Sequence, residues 1–92
     1  MFIFSCNATA KKNTVDVKEG EIIPFMIYIN YVDLFGAEQL CQLYLFQAGF
    51  TNVEIEKRRF VQAKTVEKIM YADTDIQEAI KNGYQVRMFD GD

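Results

Sequence analysis

At 92 residues, the chain is shorter than the roughly 100–200 residues of a usual domain, which excludes two independent cores and predicts one α+β domain over residues 1–92. Half of it is hydrophobic and 14% aromatic, with a net charge of −3 and a pI near 4.9. That balance excludes a disordered chain and offers no global positive field to draw nucleic acid or an anionic membrane surface.

Residues 2–6 are apolar and β-favouring and read as a first strand. The opening Met1 to Cys6 lacks the basic segment and the apolar length of a secretory leader. Asn7 to Gly20 reads as a long polar connection holding a short extended piece at Thr14 to Lys18. Ile22 to Val32 is β-branched and aromatic at both parities, the pattern of a central strand buried on both faces. Pro24 has no N–H to give a ladder, so the strand proper is expected from Phe25. Met26 would open a compact domain by itself, which leaves residues 1–25 readable as an accessory N-terminal extension, tied down as a strand added to a sheet edge.

Asp33 stands where an N-cap belongs, and Ala37, Leu40, Cys41, Tyr44, Leu45 and Ala48 recur at helical spacing up to Gly49. Phe35, Leu43 and Phe46 fall outside that stripe, so this helix is apolar around more of its circumference than a surface helix requires. Val53 to Val61 alternates at first, then places Lys57 and Arg59 at inner parity, which predicts an exit from the core or a bulge. Residues 63–71 and 74–82 read as one kinked helix or two, with Asp73 and Thr74 as caps and Asn82-Gly83 as the stop. Tyr84 to Phe89 closes the pattern as a strand.

The order ββαβαβ predicts a small four-stranded antiparallel or mixed sheet with two to three helices packed on one face. A parallel three-stranded unit from the last five elements is the alternative. Glu54, Glu56, Arg58, Gln85 and Arg87 favour the first arrangement, because they imply one uncovered face.

There is no histidine, which removes the commonest general base and metal ligand and every Ser-His or Cys-His nucleophile. Asp73, Asp75 and Glu78 lack the ligand count and glycine of a calcium loop, and Cys6 and Cys41 are too few for zinc. The five glycines form no phosphate-binding loop. The expectation is therefore no cofactor, no metal and no catalytic set, in a protein that is more binding module than enzyme. The segment Phe25 to Phe50 with Asn52 to Glu56 resembles the opening of a glutaredoxin-like unit. The cysteine pair of such a unit is replaced here by Val32-Asp33-Leu34-Phe35, so no redox chemistry carries over.

Two groups of residues remain for recognition. Tyr28, Asn30, Glu54, Glu56, Arg58, Tyr84 and Arg87 are candidate ligand-binding residues, a polar and aromatic surface if their strands are neighbours. Tyrosines on an open sheet also invite comparison with RNA-binding sheets, which the acidic balance argues against. The thirteen aromatics (five Tyr, eight Phe) belong mostly to core parities; Phe35, Leu43 and Phe46 resist that assignment and are candidate interface residues. Burial of these three between the sheet and residues 1–25 is the competing explanation. The expected function is a small binding or regulatory module that self-associates, with a dimer favoured, through its first helix or a sheet edge. The alternatives are an acidic partner protein of the antitoxin or immunity type, and a small ligand-binding protein or enzyme with a pocket between sheet and helices. Free cysteines and the lack of an apolar span of roughly 20 residues place it as a soluble cytoplasmic protein with no membrane or nucleic-acid partner.

Overall fold

The N-terminal hairpin is the centre of the molecule. In a computed structural model that describes residues 1–89, β1 (Phe2–Ala10) pairs antiparallel with β2 (Ile22–Ile29) on one side and with β3 (Phe50–Phe60) on the other. A fourth strand, β4 (Tyr84–Met88), joins the free side of β2, also antiparallel, giving the order β3-β1-β2-β4. The helices are α1 (Leu34–Gln47), α2 (Ala63–Ile69) and α3 (Thr74–Asn82). The antiparallel arrangement is thus the one that forms, and the parallel unit is not. Residues 1–25 supply an interior strand and the start of its neighbour. The first strand is therefore interior to the sheet and not one added at its edge.

The first strand continues past Cys6 to Ala10 because alternate residues keep finding core: Phe2, Phe4, Cys6, Ala8 and Ala10 are all buried. Pro24 sits inside β2, earlier than the expected start at Phe25. Its carbonyl accepts from the Phe89 N–H, and in an antiparallel strand a residue's nitrogen and carbonyl share a side. The nitrogen therefore faces the β4 side, and the β1 ladder needs nothing from it.

The helices do not share one face of the sheet, as the sequence had suggested. Ala37, Cys41 and Leu45 of α1 pack on Phe4, Cys6, Phe25, Ile27 and Ile29, all buried. Side chains of opposite parity, Ile3, Met26 and Tyr28, instead meet Val66, Ile76 and Ala79 of α2 and α3. This explains why Ile27, Tyr28 and Ile29 are buried in succession. Each fully buried Leu, Ile or Phe contributes roughly 1.5–3 kcal/mol, so both layers matter to stability.

The local signals explain the ends. Asp33 accepts from the Gly36 N–H at 2.7 Å and opens α1; Gly49, at φ 103°, takes the left-handed turn after it. Between α2 and α3 lies a 3-10 turn, Met70–Ala72. Asp73 then caps α3 by accepting from the Asp75 and Ile76 N–H groups at 3.0 and 3.1 Å. The segment is therefore two helices, because the cap stops the first ladder and starts a second.

Candidate functional site

Strand order and a bulge decide where the expected binding residues go. β3 and β4 are the two edges of the sheet, so Glu54, Glu56 and Arg58 are not neighbours of Tyr84 and Arg87. The ladder between β1 and β3 shifts register between Ser5 and Cys6, opposite Glu56. One extra residue on a strand inverts the faces of those that follow. Ile55 therefore lies opposite Cys6 and Arg58 opposite Phe4, on the α1 side, while Lys57 and Arg59 lie opposite Ser5 and Ile3 on the other.

The seven residues accordingly do not form one surface. Arg58 reaches to Glu38 of α1 at 2.6 Å. Tyr84 stacks on Tyr44 of α1, with ring centroids 3.8 Å apart and planes 8° from parallel. Arg87 crosses to Asp75 of α3 at 3.1 Å, and Gln85 donates to the same carboxylate at 3.2 Å. Tyr28 is buried beneath α3. Glu54 and Glu56 stay exposed, with Glu56 accepting from the Asn7 side chain. Asn30 is exposed past the end of β2, where its N–H donates to the Gly83 carbonyl.

Two other regions have the shape or composition of a recognition site. The first is the outer side of α1, where Phe35, Leu43 and Phe46 are 72%, 48% and 55% exposed. Residues 1–25 leave them exposed to that degree: β1 and the start of β2 lie in the sheet, and Lys11 of the loop between them reaches the Phe46 ring. A helix turns 100° per residue, which puts Phe35, Gln39, Gln42, Leu43 and Phe46 on one stripe. Glu38 is the sole charged residue in α1, and Arg58 holds it. The outer stripe thus carries no formal charge, apart from Lys11 at its rim, whose Nζ sits 3.4 Å above the Phe46 ring centre.

The second region is a cleft of about 260 Å³ between the opposite sheet face and the α2–α3 layer. Ile3, Met26, Ile69 and Ile76 give it apolar walls, and Ser5, Tyr28, Lys57, Arg59 and Asp73 give it polar ones. The Tyr28 hydroxyl has a sulfur partner, donating to Met26 Sδ at 3.2 Å. Burial, followed by the charges of Asp75 and Asp73, raises its pKa above the ordinary tyrosine value. Among the described residues, no group of three or more metal-ligating side chains converges.

Sequence reasoning did not reach Ser5, Lys57, Arg59 or Asp73 as lining residues. The available signal was the break in alternation at Glu56-Lys57, which marks the bulge that turns the two cations to this face. Comparison with known proteins adds nothing to these surfaces: no family model, curated protein or solved structure matches the chain.

Proposed function

We propose that the protein is a small binding module that self-associates as a two-fold dimer through the outer stripe of α1. The observation that carries this reading is an exposed helix face with three large apolar side chains and no formal charge. Two copies of a chain with net charge −3 repel one another wherever their charges meet. A stripe of Phe35, Gln39, Gln42, Leu43 and Phe46 avoids that cost. It is also self-complementary: each glutamine amide both donates and accepts, so the same residues serve on both sides of a two-fold axis. Depletion of charge with enrichment of aromatics is the composition of an interface centre.

The sheet edges serve this purpose less well. β3 carries Glu54, Glu56, Lys57, Arg58 and Arg59 and two register shifts, the charges and irregularities that keep an edge strand from pairing with a copy of itself. β4 is only five residues long.

A reducing compartment such as the cytoplasm belongs to the same reading. Cys6 and Cys41 come from distant parts of the chain yet share the core as free thiols. No helix among the described residues is long and apolar enough to cross a membrane.

Light scattering of the full chain over a concentration series tests the proposal. The expected mass rises from 10.7 kDa toward twice that value as concentration increases through the micromolar range. A monomer mass throughout would overturn it.

A further inference from the structure

The cleft lies on the sheet face opposite α1, so its occupancy is independent of the dimer proposed above. Its charges are unevenly placed. Lys57 and Arg59 stand two residues apart on the edge strand, opposite Ser5 and Ile3. Among the described residues neither makes an ion pair; Arg58 and Arg87 are the basic side chains that do. Asp73 is also in the lining, and one of its carboxylate oxygens is already occupied by the two backbone N–H groups that it caps.

We propose that this cleft binds a small apolar carboxylic acid, its carboxylate held by Lys57 and Arg59 and its hydrocarbon body lying against Ile3, Met26, Ile69 and Ile76.

Three arguments select that class. Two cations and one carboxylate leave the lining with a net charge of one positive unit, which a monoanion neutralises and a phosphate dianion overshoots against Asp73. A planar guanidinium beside a point-charge ammonium matches the fork of a carboxylate. The hydrocarbon walls contribute only to a ligand with apolar surface to bury, and the volume of about 260 Å³ is below that of pockets for drug-sized molecules, so the body must be small. Tyr28 supplies a further donor. A thioether is a weak acceptor, so exchanging Met26 Sδ for a carboxylate oxygen gives the hydroxyl a stronger partner, and its raised pKa keeps the proton in place.

The competing account is that Lys57 and Arg59 are solvated charges whose role ends with protecting the edge of β3. Titration of the full chain by NMR separates the two, with hexanoate and phenylacetate as probes and hexylamine and inorganic phosphate as controls. The expected result is saturable binding of at least one acid with a Kd below about 1 mM, shifting signals of Ile69, Ile76 and Tyr28. In the Lys57→Ala/Arg59→Ala variant, which alters two exposed side chains and keeps the native spectrum, that affinity falls roughly tenfold or more. Absence of saturation by both acids would overturn the proposal. So would equal binding of hexylamine or phosphate, unchanged affinity in the double variant, or shifts confined to α1.

Discussion

Arg58 on β3 holds Glu38, the one charged residue of α1, at 2.6 Å. The contact depends on the register shift opposite Glu56. Without that extra residue Arg58 would face away from α1, and Lys57 would point into the layer beneath the helix. One bulge thus does two things: it brings Arg58 to the helix's only charge and turns Lys57 and Arg59 into the cleft.

Because both partners of this pair are partly exposed, at 44% and 27% for Arg58 and Glu38, its direct contribution to stability is small. Glu38→Ala is expected to lower the unfolding free energy by less than about 1 kcal/mol and to leave the dimer intact. Urea denaturation of the variant checks the first point and solution mass the second.

Cys6 and Cys41 are 2% and 0% exposed, and their hydrogen bond, with burial, pushes the Cys41 thiol above its ordinary range. A thiol reacts as its thiolate. The same bond lowers the Cys6 thiol, so its protection comes from burial alone: both cysteines are expected to resist Ellman's reagent in the folded protein and to react together when urea unfolds it. Rapid reaction of either under native conditions would contradict the placement of the pair in the core.

How far this arrangement is legible in the sequence depends on which physical rule decides each part. Helix α1 with its Asp33 cap and Gly49 stop, the Asp73 cap and the four strands follow from local chemistry, and the exposure of Phe35, Leu43 and Phe46 follows from angular position on one helix. The pairing order does not, because a chain of this pattern has several sheets open to it and local residues do not distinguish them. For that reason Tyr84 and Arg58 look in sequence like companions of Tyr28, yet both face α1 on the other side of the sheet. The division of the helices between faces was hidden for a related reason. Gln85 and Arg87 look like a solvated face in isolation, yet their partner is Asp75, ten and twelve residues away in the sequence on α3.

Tyr28 should ionise above the ordinary tyrosine range. Its folded pKa is raised, so the fold favours the protonated phenol. The associated stability is fully present below the unfolded value near 10 and is lost as pH rises through the higher folded value. Spectrophotometric titration near 295 nm is expected to show a late-ionising phenol that Tyr28→Phe removes. The variant should also be less sensitive than the native chain to pH above about 10.

Asp73 opens α3 and so holds part of the layer over Tyr28. Asp73→Ala is expected to cost about 1 kcal/mol and to speed amide hydrogen exchange in the first turn of α3, with α1 unaffected. A loss well beyond about 2 kcal/mol, or faster exchange spread through both helical layers, would mean that the cap supports more than its own helix.

The most direct test of the central claim is the solution mass of a Leu43→Glu/Phe46→Glu variant beside the native chain, by light scattering at matched micromolar concentration. Both side chains are about half exposed, so the substitutions leave the core packing in place, which circular dichroism verifies. The account predicts a dimer for the native chain and a folded monomer for the variant, since two carboxylates on each copy would meet across the two-fold axis. A variant that keeps the native dimer mass would contradict it and move the interface away from α1.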